Sequence, residues 1–349
     1  MSLNEDIGDQ LIGHRLELLR YEAGVAEELA RAYDTSLAHV LAELAVARRR
    51  ALAGRPIDPA AAARLNGLRA DLTTQIRELH RVARLTLTER LAEVADFERA
   101  AQASLGDLVT TWTTVDEAAA ATAVTQPIGG NLWTDRLATD LVAVSDTLQG
   151  TIAAAVASGA SMPEIAKRIG QTTGLVETYR GRLIAIARTE TQRVANTVAL
   201  ESYRQNADVL DGIQWLATLD TRTCVVCGAR HGKVYPLGAD GRPLGLDQQP
   251  PLHPRCRCFL SPVVVGVEAA PEMTFGAWLR RKGPSAQDEV LGPERAAMFR
   301  AGVPLDRFVD GRRALRMGEL RAALKTTSPT PTARGPARGD LVTVRSAAL

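Results

Sequence analysis

The sequence predicts a mainly α fold: a long helical hairpin or bundle, then a small α+β module, then a short helical C-terminal segment. Three observations carry this. Apolar residues recur at helical spacing from about residue 9 to 105. The composition suits helices packed through small side chains, with only 4% aromatics. And the pattern switches to strict alternation after Gly212, just before all four cysteines appear between Cys224 and Cys258. At 349 residues the chain is long enough for two or three domains.

The first helix is read over residues 9–51. Ile12, Leu16, Leu19, Ala23, Ala26, Ala30, Tyr33, Leu37, Val40 and Leu44 advance in steps of four and three, the spacing of a coiled-coil seam. Its three alanines suit close helix approach. Arg48, Arg49 and Arg50 complement the carbonyl end of the dipole, and Gly54, Pro56 and Pro59 break the helix. A second helix follows from Pro59 to beyond Leu105. Leu65, Leu68, Leu72, Ile76, Leu79, Ala83 and Leu87 mark its face at a period near 3.67, that of a nearly straight rod. The two form an antiparallel hairpin turning near residues 52–59. Pro127, Gly129 and Gly130 mark a boundary. A third helix covers Trp133–Ala157.

Ser161-Met-Pro-Glu164 reads as a capping box that opens a short helix ending at Gly170. A longer helix runs from about Gly174 through Tyr203. Together they resemble a helix-turn-helix over 161–193, with Arg180, Arg182, Arg188 and Arg193 as phosphate contacts. Plain packing explains the same pattern. The early exposed positions Thr172, Thr173 and Glu177 are poor base readers. Arg188 and Glu190 stand two apart on different faces, so each is expected to pair with another element.

Ile213, Trp215, Ala217 and Leu219 alternate as a strand. Then comes Cys224-Val-Val-Cys227-Gly228, a knuckle whose backbone N–H groups face the sulfurs. His253-Pro-Arg-Cys256-Arg-Cys258 supplies a second knuckle after a hairpin excursion. Five candidate ligands are thus available to a four-coordinate zinc: Cys224, Cys227, His253, Cys256 and Cys258, with His231 a weaker sixth. Clustered cysteines favour metal in a reducing compartment, with two disulfides or free thiols as alternatives. Protein can fill every coordination position, so the zinc is expected to be structural, and Asp220 is the one obvious carboxylate nearby. A nuclease would need His231 beside the metal. No P-loop, dinucleotide fingerprint or nucleophile elbow is present.

Composition excludes other classes. With 42 basic and 40 acidic residues, net charge is +2, which argues against wholesale nucleic-acid or membrane binding. No apolar run approaches the roughly 20 residues of a membrane span. The opening residues lack signal-peptide character.

The ordered set Ala187-Arg188-Thr-Glu190, Gln214-Trp215, Asp220-x-Arg-Thr-Cys224-x-x-Cys227, Gly232-Lys-Val and Pro251-x-His253-Pro-x-Cys256-Arg-Cys258 resembles the phage head morphogenesis family of Mu F-like minor head proteins, over residues 135–265. The resemblance implies a non-enzymatic minor capsid protein of a tailed-phage or prophage head. Such a protein joins the prohead near the portal, in the bacterial host cytoplasm, and acts in head morphogenesis and in DNA packaging or ejection. It implies portal, scaffold or major capsid protein as partners, with non-specific contact to packaged DNA and no membrane. It also carries a metal-binding motif onto Cys224, Cys227, His253, Cys256 and Cys258, with Arg188, Glu190 and Asp220 as a structural polar signature. The rival readings are a DNA-binding protein using 161–193 and a metal-dependent enzyme acting on nucleic acid. The near-neutral charge weighs against the first, the closed ligand set against the second.

The expected organisation is an arm over 1–130, a helical domain over 131–211, a zinc-binding β-rich module over 212–265, a small helical segment over 266–325 and a flexible tail over 326–349. Thr274-Phe275 and Gly292-Pro293 open the helices of the fourth segment.

Overall fold

A computed structural model describes residues 3–51, 59–109, 111–127, 132–158, 164, 167–168, 173–266, 273–311 and 313–326. The expected hairpin turn, Gly129 and Gly130, most of the 161–172 segment and the tail after Thr326 lie outside these residues.

The fold is mainly α. Helices α1 (Leu3–Ala51) and α2 (Pro59–Ser104) run antiparallel. Cross-ties fix their register: His14 meets Glu98 at 2.8 Å, Arg90 meets Glu28 at 3.1 Å, and Gln10 bonds Ser104. After α2 the chain tightens into a 3-10 turn at Leu105–Asp107. The short α3 (Glu117–Thr122) is capped by Asp116, whose carboxylate accepts from the Ala119 N–H at 2.6 Å. Then come α4 (Trp133–Ala157), with the expected bounds, and α5 (Thr173–Gln205). Leu18, Val25 and Leu29 of α1, Leu87 and Leu91 of α2, Leu137 and Val144 of α4, and Ile186, Val194 and Val198 of α5 form one core. Each such side chain contributes about 1.5–3 kcal/mol by leaving water.

The stripe expected on α1 is corrected. Ile12 and Leu16 are 42% and 53% exposed, and Ala23 is exposed as well. The buried line is Ile7, Leu11, Arg15, Leu18, Glu22, Val25 and Leu29, joined by Ala26, Ala30 and Tyr33. The reason is physical. Two positions of the true seam carry charges that find partners inside, so hydrophobicity alone selects the neighbouring stripe. The side chains of Leu37, Val40 and Leu44, like those of Leu65, Leu68 and Leu72, lie outside the described ones; Ala83 and Leu87 of α2 are buried as expected.

A three-stranded antiparallel sheet follows, with β1 (Leu210–Leu216) between β2 (Val234–Pro236) and β3 (Phe259–Val264). Ile213 pairs Tyr235, and Trp215 pairs Leu260. As the middle strand, β1 buries nearly every side chain on both faces. It begins and ends earlier than its alternation predicts, leaving Ala217 and Leu219 in the following loop. Gly212 is required there: a Cβ would stand 2.8 Å from the Tyr235 carbonyl oxygen. This sheet shares a second core with both ends of the hairpin, through Ile7, Leu11, Leu105, Tyr203, Trp215, Cys227, Cys256 and Cys258.

Helix α6 (Val225–Arg230) carries the first knuckle. Against its outer face pack α7 (Phe275–Arg280), α8 (Pro284–Leu291), α9 (Pro293–Arg300) and α10 (Met317–Thr326), which build a third core around Phe275, Leu279, Phe299, Phe308 and Leu320. Gly228 is not a turn residue but a helical contact point. A Cβ there would lie 2.3 Å from the Phe275 ring.

Candidate metal centre

The loop leaving β1 is held by its own side chains. Asp220 Oδ1 accepts from the Arg222 N–H at 3.0 Å, and the Thr223 hydroxyl donates to the Thr218 carbonyl at 2.5 Å. This turn delivers Cys224 to the N-cap of α6. One helical turn later Cys227 falls on the same side, because residues three apart share a helix face.

The chain returns through His253. Its Nδ1 lies 2.9 Å from the Pro254 carbonyl oxygen, so Nδ1–H donates there and Nε2 is turned inward. Nε2 sits 3.3 Å from both the Cys224 and Cys227 sulfurs. The Cys227 and Cys256 sulfurs are 3.8 Å apart. Two groups of donors result, Cys224 with Cys227 and His253, and Cys227 with Cys256 and Cys258. Within each, the donor atoms lie within 4.8 Å of one another. Cys227, Cys256 and Cys258 are buried.

Protonation follows from this crowding. The bonds of Cys227 to Cys224, Cys256 and Cys258 push its thiol up. The same bond, with His253 beside it, draws Cys224 down to about 4. Cys256 is lowered by Cys227 and Cys258. His253 is raised to about 11 by Cys224 and Cys256. Burial pushes Cys258 well up. The crowding thus draws Cys224 and Cys256 toward the thiolate and His253 toward the imidazolium, a charge arrangement that a divalent cation would replace.

The donor set fits a tetrahedral thiolate–imidazole site. Zn–S near 2.3 Å and Zn–N near 2.1 Å require S···S of about 3.8 Å and S···N of about 3.6 Å. The observed separations of 3.8 and 3.3 Å sit at or close to these values. Soft thiolates with imidazole suit zinc among the common divalent ions. A groove of about 410 Å³ between α4 and α5 reaches Thr189 and Pro254, but none of the five candidate ligands lines it.

The second knuckle is anchored from three sides. Arg257, between the two cysteines, binds both Asp220 oxygens at 2.5 and 2.6 Å. The Arg255 N–H donates to the Thr189 hydroxyl at 3.1 Å, and Arg255 itself holds φ at 61°. The Cys258 carbonyl accepts from Arg15 Nη2 at 3.0 Å and Asn196 Nδ2 at 3.2 Å. Arg15 also bonds Gln192, which donates to Glu22 at 2.7 Å; Glu22 in turn lies 3.6 Å from Arg188. Burial raises Glu22, against the pull of Gln192, Arg188 and Arg15.

The remaining sequence candidates fall elsewhere. Glu190 is fully buried and pairs with Arg193 at 2.6 Å and with Arg136 of α4, away from the sulfurs. His231 faces away from the cluster: its Nδ1 accepts from the Ala217 N–H at 3.0 Å, and burial lowers it. A nuclease role resting on His231 at the metal therefore lacks its geometry. The arginines offered to DNA on α5 are engaged with carboxylates: Arg180 with Asp34, Arg182 with Asp140, Arg188 with Glu22 and Arg193 with Glu190. Sequence reading missed Arg15, Glu22 and Gln192. A signal existed for two of them: Arg15 and Glu22 stand seven apart and interrupt one apolar line, the mark of an internal polar tie.

Residues 146–261 match the family described as Phage Mu protein F like protein. The match covers a third of the chain and includes Cys224, Cys227, His253, Cys256 and Cys258. It bears out the resemblance and points to phage head morphogenesis. No curated protein and no solved structure matches the chain. No described helix is long and apolar enough to cross a membrane.

Proposed function

From a chain whose residues 146–261 are Mu F-like, we propose a non-enzymatic minor structural protein of a tailed-phage or prophage head, portal-proximal and assembled in the host cytoplasm. The observation that carries this reading is the Cys/His cluster, inside the matched segment and buried against both ends of the helical hairpin. It behaves as a clasp. Its outer partners tie it to two helices, Arg15 on α1 and Thr189 and Asn196 on α5.

The metal is zinc in this reading, held by Cys224, Cys227, His253 and Cys256, with Cys258 the fifth donor, buried like Cys227 and Cys256. Zinc would supply a cross-link, worth on the order of 10 kcal/mol of folding free energy in small modules. Arg188, Glu190 and Asp220 serve as structural ties. The organisation proposed is the one set out above, with the exposed faces of the arm of 1–130 meeting portal, scaffold or shell and the module of 212–265 fastening it.

Quantitative mass spectrometry of proheads from cells co-expressing this chain with its portal and shell proteins tests the reading. A few copies per particle, lost when the portal is omitted, are expected. Absence from all particles overturns it.

A further inference from the structure

Charge is divided unevenly along this chain. Residues 1–272 carry 28 basic and 33 acidic side chains, whereas residues 273–326 carry 11 basic and 6 acidic. Such asymmetry between parts of a chain marks a polyanion partner for the basic part. Within that part, several arginines are neutralised: Arg313 by Asp310 and Glu319, Arg321 by Glu294. Arg280, Arg281 and Lys282, at the end of α7, are exposed and join no carboxylate among the described residues.

The scaffold holds these cations together. Arg280 lies over the buried Phe299 ring at 5.1 Å, and Lys282 over the Trp278 ring at 5.1 Å. The buried Gln287 donates to the carbonyls of Leu279 and Lys282 at 3.1 and 3.0 Å, and Arg300 reaches the Gln287 oxygen at 3.3 Å. Arg300 therefore braces the cluster from behind, its own charge met by Asp288 at 2.9 Å. Because Gln287 already satisfies the helix end, the Arg281 and Lys282 head groups are left to face solvent rather than to cap α7.

We propose that Arg280, Arg281 and Lys282, braced from behind by Arg300, form a docking site for the phosphate backbone of duplex DNA. Guanidinium forks match phosphate oxygens, and a rigid cationic cluster needs no groove to grip a backbone. A protein partner would want a central apolar anchor. Here the two nearest rings are covered by the cations themselves. Binding is independent of base sequence. The site lies outside the segment matched to the family and does not rest on the head assignment.

The test is fluorescence anisotropy of the full chain with a labelled 30-base-pair duplex across a salt series. About three phosphate contacts give a slope of log K against log salt near −2.7. In Arg281→Glu/Lys282→Glu the slope is expected to become shallower by about 2, with at least a tenfold loss at low salt. Arg281→Gln, a milder change, loses about one unit of slope. Arg321→Glu, whose cation is already paired, leaves the slope unchanged. Far-UV circular dichroism confirms each fold. No binding by the wild type, or a slope that ignores the 281/282 changes, overturns the proposal. So does binding of polyglutamate in place of DNA, which would assign the patch to an acidic protein.

Discussion

Asp220 binds Arg257 through both carboxylate oxygens, at 2.5 and 2.6 Å, and so joins the two cysteine-bearing segments outside the sulfur cluster. Thirty-six residues separate them in sequence, yet the pair sets the distance between the Cys224 loop and the Cys256–Cys258 segment. Burial alone would raise the Asp220 carboxyl, but the bond and charge of Arg257, with the Arg222 N–H, lower it. Asp220→Asn keeps one acceptor and loses the fork. The expected result is a folded protein with 10- to 100-fold weaker metal affinity, as for other partners that orient ligands. Competition with a chromophoric chelator measures it. Unchanged affinity would assign Asp220 to surface pairing only.

The ligand set predicts its own spectroscopy. Loading the cluster with Co(II) should give thiolate charge-transfer bands and one metal per chain. Cys224→Ser and Cys256→Ser are expected to lose metal and most of the thermal transition. Cys258→Ser should retain one metal, because its thiol is the fifth donor. Loss of metal in Cys258→Ser alongside retention in Cys256→Ser would reverse that assignment.

His231 is a strut rather than a ligand or base. Its Nδ1 accepts from the Ala217 N–H, and burial lowers its ionisation below the ordinary 6.5. In the unfolded chain it takes a proton below about 6.5, whereas the folded chain resists until lower pH. Stability contributed by the neutral ring is therefore complete above 6.5 and lost as pH falls below it. His231→Gln should flatten this part of the stability curve, read by urea unfolding between pH 7 and 5, and leave metal content unchanged.

Gly228 and Phe275 predict a steric effect. With a Cβ placed 2.3 Å from the ring, Gly228→Ala must displace Phe275 or the helix. Overpacking of this kind costs about 1–3 kcal/mol. The helix preference for alanine returns at most about 1 kcal/mol. A lower melting temperature is expected, and Gly228→Ala combined with Phe275→Leu should recover part of it.

Arg255 predicts the opposite sign. It holds φ at 61°, where a side chain is strained by about 1–2 kcal/mol. Its backbone N–H, not its side chain, makes the bond to Thr189. Arg255→Gly keeps that bond, gives up only the exposed 3.3 Å bond from Arg255 Nη2 to the Gly181 carbonyl, and relieves the strain, so the metal-free protein should melt slightly higher.

Much of this was readable from residue order. The bounds of α4, the run of α5, the caps of the C-terminal helices and the grouping of Cys224, Cys227, His253, Cys256 and Cys258 follow from local spacing and local chemistry. The helical hairpin is legible too, because apolar period and breakers are local signals. The buried face of α1 is not. Ile12 and Leu16 form the better apolar stripe, and the helix buries Arg15 and Glu22 instead. That choice is made by Gln192, Asn196 and the Cys258 carbonyl, which reach α1 only when the chain has folded.

The sequence by itself determined the helices, the strand-forming run and the set of sulfur and imidazole donors, since each depends on neighbours within a few residues. Tertiary structure decided which face of α1 turns inward, that Gly228 is a contact and not a turn, that His231 props a loop, and that the α5 arginines meet carboxylates while Arg280, Arg281 and Lys282 meet none among the described residues. Burial of a charge is favourable only beside its partner, and partners 177 or 243 residues away, as for Arg15, are set by the fold rather than by any local pattern.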